Sequence, residues 1–407
     1  MQNIKDIPLA KMPLIIGKLG LEKYTAGQII QWLYKKNATS FEEMTNLSKG
    51  ARKILSENFY ISRLKLVKKL QSADGTQKFA WGLEDGRIIE SVLILSEPYS
   101  KVPKNQRTNA LTHQRTRFTL CISTQVGCAM GCVFCRTGQM GFIRNLTQGE
   151  IVDQILEAQK QCHPLPHPPP SRGRDGVRGH RVTNVVLMGM GEPLANYDNV
   201  VNAVRIMLDS KCLGLSKRHV TISTSGLVSG IERLAEEKLE IKLAISLNAT
   251  TDEARAEIMP INKKYPLASL FKALKKYATA TGRNRITFEY VIIEDENDSI
   301  EDAMRLVKLL SHIPAKVNLI PVNVVPTFRS GEIAQSKDRD YRTPTEETIQ
   351  RFAQYLRNKN VQVNIRISRG TDILAACGQL AGIDPFHLVG GKGSVVNSRR
   401  ISGDTHF

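Results

Sequence analysis

Four of the chain's seven cysteines fall in the stretch CISTQVGCAMGCVFCRTGQMGF, at Cys121, Cys128, Cys132 and Cys135. The last three keep a C-x3-C-x2-C spacing, which gathers three thiols on one compact loop. Thiols so gathered bind metal. An iron–sulfur cubane normally takes four cysteine thiolates, so three would leave one iron with a position open to another molecule. A structural zinc site also takes four ligands, usually as two C-x2-C or C/H pairs. No second pair exists here, because Cys162, Cys212 and Cys377 are each isolated. Zinc with a distant fourth ligand, or a chance cluster of unmodified cysteines, are the competing readings. Cys121, seven positions ahead of the trio, first reads as a spare ligand.

A rigid scaffold must hold such a loop. From Thr119 the chain alternates short β-branched runs with amphipathic segments. The runs are LCIS, NVVLMGM, HVTISTSG, IKLAISL, RITFEYVII, KVNLIPV and VQVNIRI. Between them lie TQGEIVDQILEAQK, YDNVVNAVRIMLD, PLASLFKALKKYATA, SIEDAMRLVKLLSH and TEETIQRFAQYLRNK. Strand–helix alternation predicts a parallel sheet of right-handed βαβ units. Seven strands fit an α/β fold of the full or partial TIM-type (β/α) barrel class better than a dinucleotide-binding sheet, and no G-x-G-x-x-G opens a helix. Thr147 and Glu150 form a capping-box signature ahead of the first of these helices. The cysteine loop follows the first strand, on the face where barrels carry their active sites.

Residues 1–95 read as a small, mainly helical accessory domain. Ile29, Ile30, Leu33 and Tyr34 recur at helical spacing, and QKFAWGLEDGRIIESVLIL predicts a β-hairpin turning at Asp85–Gly86. A basic linker (96–118) precedes the barrel (119–390), and a basic tail (391–407) follows it. The Pro- and Arg-rich stretch 163–181 is expected to be an exposed, mobile insertion. Its His163, His167 and His180 are too loosely spaced to favour a metal site over a solvated loop.

The chain has 407 residues and a net charge of +18, which favours a polyanionic partner, nucleic acid first. Aromatics are only 6%, so stacking platforms for bases are not advertised. No apolar run approaches the roughly 18 residues of a membrane span, and the N-terminus lacks the apolar core of a secretory signal. The expectation is a cytoplasmic protein without a membrane partner, where thiols stay reduced.

The cysteine motif, with Phe134 before its last cysteine, resembles the signature of the radical S-adenosylmethionine superfamily. Together with NVVLMGMGEPLANYDNV, LSKRHVTISTSG, LAISLNA, MPINKKY, NLIPVN and RGTDILAACGQLAG, it makes the chain resemble the RlmN/Cfr family from about 119 to 382. These are radical enzymes that methylate adenosine in RNA, and the N-terminal helices resemble their RNA-binding accessory domain. The resemblance implies a partial barrel holding a [4Fe–4S] cluster on Cys128, Cys132 and Cys135. It implies S-adenosylmethionine bound by Gly191, Glu192, Ser223, Ser246, Leu247, Asn248 and Asn323. Asn248 stands where many relatives carry His, so a role needing a titrating imidazole is not expected there. Cys377 matches the cysteine that first accepts a methyl group. Cys121 matches the one that resolves the RNA adduct through a transient disulfide with Cys377. Glu90 matches a glutamate that handles a proton near the target base. On their own, Cys377 reads as a small buried hydrophobe and Glu90 as readily as a solvated strand position. Cys162 and Cys212 are read as structural.

The implied reaction is methylation of adenosine C2 in 23S rRNA, with tRNA as a candidate second substrate and two S-adenosylmethionine molecules per turnover. Methylation of C8, the Cfr-type activity, is the nearest alternative. A non-catalytic, zinc-stabilised RNA-binding protein is the alternative of a different class. The resemblance further implies a cytosolic electron donor of flavodoxin or ferredoxin type, and a monomer suits an enzyme that grips a large RNA.

Overall fold

The computed structural model describes residues 1–96, 117–162, 181–282, 285–323 and 341–381. The body of the linker, the three histidines of the 163–181 insertion and the C-terminal tail lie outside the described residues.

The chain begins with a short strand, β1 (Gln2–Asn3), and helices α1 (Met12–Lys18), α2 (Thr25–Tyr34) and α3 (Lys49–Asn58). Strand β2 (Phe59–Tyr60) closes the module by pairing parallel with β1. Ser48 caps α3 by accepting from the Ala51 N–H, satisfying one of the helix's orphan donors. The apolar positions expected on one face, Ile29, Leu33 and Tyr34, are buried, while Ile30 is half-buried.

Three antiparallel strands follow: β3 (Lys65–Gln71), β4 (Gln77–Gly82) and β5 (Ile88–Ser96). The Asp85–Gly86 turn is present, with Gly86 at φ 80° and its N–H donating to the Leu83 carbonyl. These strands do not form a separate hairpin in the helical module. β5 pairs antiparallel with β6 (Arg117–Cys121), so the hairpin expected in the accessory domain extends the barrel sheet. The physical reason is that a two-stranded hairpin is marginal alone, whereas pairing with β6 satisfies a row of otherwise unpaired backbone groups.

After β6 come a small hairpin, β7 (Gln125–Gly127) and β8 (Phe142–Asn145), with the short helix α4 (Arg136–Gln139) between its strands. Then the predicted alternation unfolds as α5 (Gln148–Gln161), β9 (Asn184–Leu187), α6 (Tyr197–Leu208), β10 (Val220–Thr224), α7 (Val228–Glu236) and β11 (Lys242–Ser246). It continues with α8 (Asp252–Ile258), α9 (Leu267–Ala280), β12 (Ile286–Ile292), α10 (Ile300–Leu310), β13 (Ala315–Pro321), α11 (Glu346–Asn358) and β14 (Gln362–Ile365). All seven predicted strands exist and run parallel in the order β6-β9-β10-β11-β12-β13-β14. Thr147 and Glu150 make the full capping box at α5. α7 and α8 were not anticipated. The sheet is open, since β14 and β3 are its two edges, which makes the barrel partial.

Two features replace full closure. The segment after β14 crosses to the antiparallel strands. There Ser72 Oγ donates to Asp372 at 2.6 Å, the Gly370 N–H to Asp74 at 3.0 Å, and Lys78 Nζ to the Leu374 carbonyl at 3.1 Å. The N-terminal module is fastened to α5 by a fully buried pair, Lys5 Nζ to Asp153 Oδ1 at 2.6 Å, with Ser62 bonded to both residues. One continuous apolar core runs from Ile4 to Leu380.

Candidate active site

The parallel strands end at a common cavity holding about 960 Å³ of empty space, its mouth included. That is the size of a small-molecule site, on the side where open and closed α/β sheets bind ligands. Cys128, Cys132 and Cys135 all line it.

The β7–β8 hairpin sets the cysteine loop. Gly127 has φ 73°, and a Cβ there would fall 2.0 Å from the Gly141 oxygen, so only glycine permits the crossing. The Cys128 N–H donates to that same oxygen at 2.8 Å, and the Cys135 N–H to the Cys132 carbonyl at 3.1 Å. Ala249, Ile258 and Met259 form a second small apolar cluster against Cys132, Val133 and Phe134, and the Val133 N–H donates to the Ile258 carbonyl. The MPINKKY segment thus braces the loop from the far side.

Arg255 joins that brace to the strand ends. The guanidinium is fully buried and donates to the carbonyls of Leu247 (2.9 Å), Ser225 (2.6 Å) and Ser246 (3.1 Å) and to Asn262 Oδ1 (2.8 Å). Four acceptors compensate a charge that desolvation would otherwise make costly.

Burial pushes the Cys128 thiol up to about 12, and Glu192 and Cys135 add to the shift. Cys132 is raised by burial and then by its two neighbours Cys135 and Cys128. Cys135 is raised by burial, partly offset by backbone N–H groups of Gly138 and Thr137. Cys128, Cys132 and Cys135 would hold an iron–sulfur cluster, whose positive charge would offset the cost that burial puts on their thiolates. Among the described residues no three His, Cys, Asp or Glu side chains converge as ligands of one metal ion. The thiols instead stand around a cavity.

Next to them, Gly191 (φ 99°) and Glu192 follow β9. A side chain at Gly191 would strike Gln125, since an added Cβ would lie 2.5 Å from the Gln125 Cβ, so the backbone there must stay bare. Glu192 is buried and accepts from the Leu194 N–H (3.0 Å), the Ser225 N–H (2.7 Å) and Ser225 Oγ (2.9 Å). Burial still raises its carboxyl above the ordinary value. A buried carboxyl beside a cysteine loop, with bare backbone next to it, fits an ammonium-bearing ligand.

Ser223, Ser246, Asn248 and Asn323 also line the cavity. Asn248 adopts φ 58°, a left-handed conformation Asn tolerates. Its amide oxygen accepts from the Val291 N–H at 2.9 Å and its nitrogen approaches Met259 Sδ at 3.2 Å. The side chain is therefore occupied in shaping the wall. Leu247 is fully buried in the core and does not line the cavity, so its side chain is not a ligand contact; its carbonyl is held by Arg255.

Cys377 is exposed and lines the cavity, its carbonyl accepting from Asn323 Nδ2 at 3.0 Å. The bland reading of Cys377 on its own, a buried small hydrophobe, does not hold: Gly378, at φ 84°, turns the chain over Phe134 and passes its carbonyl to the Arg136 N–H at 2.8 Å. Cys121, at the end of β6, is buried, and Cys377 adds to the cost that burial puts on ionising it. Although 256 positions apart, the two come near each other because the segment after β14 returns across the strands that flank β6.

Glu90 is not solvated. It is 2% exposed on β5, ion-paired with Lys78 at 3.1 Å, and accepts the Ala381 N–H at 2.9 Å. It does not line the cavity, but it anchors the far end of the Cys377 segment. Cys212 is buried and Cys162 half-buried, both away from the cavity. Sequence reasoning missed Ser225, Glu289, Arg255 and Arg366. Ser225 and Arg255 lie in or beside the STSG and MPINKKY stretches, the one signal that pointed to them.

The sequence signature described as "Ribosomal RNA large subunit methyltransferase N-terminal domain" matches residues 2–61, and that of the "Radical SAM superfamily" matches residues 174–307. The chain is 43% identical over 380 residues to "Dual-specificity RNA methyltransferase RlmN" of Pelobacter propionicus, covering 93% of this chain and 96% of that one. It is 42% identical over 381 residues to the "Probable dual-specificity RNA methyltransferase RlmN" of Thermotoga maritima, covering 93% and 97%. Among solved structures, a radical SAM methyltransferase from Sphaerobacter thermophilus superposes with a TM-score of 0.78 at 38% identity, covering 94% of this chain and all of the other. Similarity this extensive, running through both the helical module and the barrel, means that the chain belongs to the RlmN family of the radical SAM superfamily.

Proposed function

We propose that this chain methylates C2 of an adenosine in 23S rRNA and in tRNA, with Cys377 carrying the methyl group before the base receives it. The observation that carries the reading is that an exposed cysteine lines the same cavity as a three-cysteine loop, with a second, buried cysteine beside it. Adenine C2 is an electron-poor carbon and a poor nucleophile toward a sulfonium, so a direct polar transfer is unfavourable. When bound to Cys128, Cys132 and Cys135, a [4Fe–4S] cluster with S-adenosylmethionine supplies the radical chemistry this carbon needs.

The protein's own residues do the rest. Glu192 receives the ammonium group of S-adenosylmethionine, with Gly191 leaving room for close approach. Ser223, Ser246, Asn248 and Asn323 shape the wall against which the cofactor lies, and Leu247 contributes through its backbone. Asn323 also orients Cys377 by holding its carbonyl. The Cys377 thiolate takes a methyl group from one S-adenosylmethionine. Its methylene later bridges to the base, and Cys121 frees the product by forming a disulfide with Cys377. Glu90, behind the cavity, holds the Cys377 segment and, in the role the family gives it, handles a proton near the target base. The helical module and the +18 charge serve RNA binding. No helix among the described residues is long and apolar enough to cross a membrane. The protein works in the cytoplasm as a monomer, with a flavodoxin- or ferredoxin-type electron donor.

Anaerobic reaction with an rRNA fragment and with tRNA, followed by nucleoside mass spectrometry, tests the assignment. It predicts 2-methyladenosine. Finding 8-methyladenosine alone would move the activity to C8, and no methylated adenosine under reducing conditions would overturn it.

A further inference from the structure

A redox site set inside a protein must receive its electrons from outside, across the thinnest part of its covering. The cysteine loop has two sides. The inner side faces the cavity, with Cys128, Cys132 and Cys135 on its wall. The outer side is the β7–β8 hairpin.

β7 is wholly buried at Gln125, Val126 and Gly127, so β8 is the outer strand, and its second edge pairs with no described strand. Phe142 and Ile143 are successive residues of β8 and are 48% and 47% exposed. Aromatic and β-branched residues suit a strand by propensity, and exposed apolar side chains that occur singly are ordinary. Here two large ones adjoin on one outer strand, and neither belongs to either apolar cluster of the molecule.

The strand that carries them is held firmly. Arg144 Nε donates to Asp85 at 2.6 Å, and its Nη1 and Nη2 donate to Glu150 at 2.8 and 2.9 Å. Gln125 Nε2 donates to Asn145 Oδ1 at 2.8 Å across the hairpin, and Arg87 bonds Asp85 at 2.7 Å. These bonds have a second consequence. The guanidinium beside the apolar pair, and the one that shares its carboxylate, are both already matched by acids. An RNA phosphate finds little free positive charge there. An apolar patch with a rim of satisfied polar groups is instead the anatomy of a protein–protein contact.

The patch is also connected to the cysteines. Phe142 follows Gly141, whose oxygen accepts from the Cys128 N–H at 2.8 Å. The path from the surface of β8 to Cys128 is therefore covalent except for that single hydrogen bond. On the other flank of the loop, Pro260 lies against Gly131, and Lys263 and Lys264 are exposed. With the net charge of +18, they favour a partner whose face is acidic.

We propose that the Phe142–Ile143 edge of β8 is the docking surface for the protein that delivers electrons to the cysteine loop, a small one-electron carrier with an acidic face. This role rests on the radical reading proposed above. One electron leaves the carrier and enters the site, so the carrier is oxidised by one electron and the site is reduced by one. No bond forms between the two proteins and no proton passes between them. The electron is spent when the S–C5′ bond of S-adenosylmethionine breaks: the sulfur keeps a pair as the thioether of methionine, and the carbon keeps a single electron. Electron-transfer encounters bury less than about 1,200 Å², so a patch of this kind is large enough to serve one.

The test compares reductants on cluster-loaded enzyme. Dithionite is small and needs no docking surface, whereas reduced flavodoxin and reduced ferredoxin must dock. Formation of 5′-deoxyadenosine is read by liquid chromatography. Binding of the oxidised carriers, which needs no turnover, is read by isothermal titration calorimetry. Ile143→Glu and Phe142→Ser are expected to lose about tenfold in carrier-driven rate and in carrier affinity. Both should keep the dithionite-driven rate and bind RNA as the parent does, and Phe142→Tyr, which keeps the ring, should stay close to the parent throughout. Variants that take electrons from the carriers as fast as the parent would overturn the proposal. So would an equal loss with dithionite, and weaker RNA binding in the same variants would give the patch to RNA. A parent active with dithionite but reduced by neither carrier would also overturn it while leaving the radical reading standing. No 5′-deoxyadenosine from the parent with dithionite would sink that reading instead.

Discussion

Burial raises the Glu192 carboxyl above its ordinary value, although Ser225, Thr224 and Leu194 all donate to it. A group in that state binds a proton readily at mildly acidic pH, and once protonated it no longer attracts an ammonium. Binding of S-adenosylmethionine should therefore weaken as pH falls, at a higher pH than the ordinary Glu value of about 4.3 would give. Glu192→Gln should weaken it by about 1.5–3 kcal/mol, roughly tenfold or more, in equilibrium dialysis. A Gln variant that binds like the parent at every pH would contradict the assignment. At this scale the cysteine trio was legible because its chemistry is carried by spacing along the chain. Glu289 and Arg366 were not, because they are common residue types that become neighbours only through the pairing of β12, β13 and β14. Leu247 shows the converse: it belongs to a recognisable stretch, yet the side chain faces the core.

The elements that position Cys377 were only half legible. Each of the seven parallel strands announces itself by β-branched runs, and the major helices by their apolar stripe. What the runs do not carry is partner choice, and the docking of β5 on β6 decides where the segment after β14 can be fastened. Glu90 is the test of that fastening. Replacing it with Gln takes the carboxylate from buried Lys78, which keeps its hydrogen bond to the Leu374 carbonyl, and breaking a buried pair costs about 3–5 kcal/mol. Thermal unfolding should register that loss in Glu90→Gln, with the methyl-accepting step impaired through a loosened Cys377 segment. A variant of full stability that forms adduct but stalls before product would instead favour proton handling by Glu90.

On the scale of the whole molecule, composition spoke for the partner and not for the shape. A net charge of +18 is expected to make phosphate contact the main source of RNA affinity. Affinity should fall at least about tenfold between 50 and 200 mM salt, measured by filter binding. Salt-independent binding would mean that the charge serves another purpose. The partial barrel, the returning segment and the buried Lys5–Asp153 fastener make one body with one continuous core. That body brings Cys377 to the same cavity as the three-cysteine loop, with Cys121 buried near enough to feel its charge. The central claim is that a protein sulfur carries the methyl group and loses one of its hydrogens before the base receives it. Anaerobic turnover with S-adenosylmethionine bearing a deuterated methyl group, read by mass spectrometry of the methylated adenosine, tests this directly. The account predicts a product methyl that retains two of the three deuteriums; transfer of the intact trideuterated methyl would contradict it.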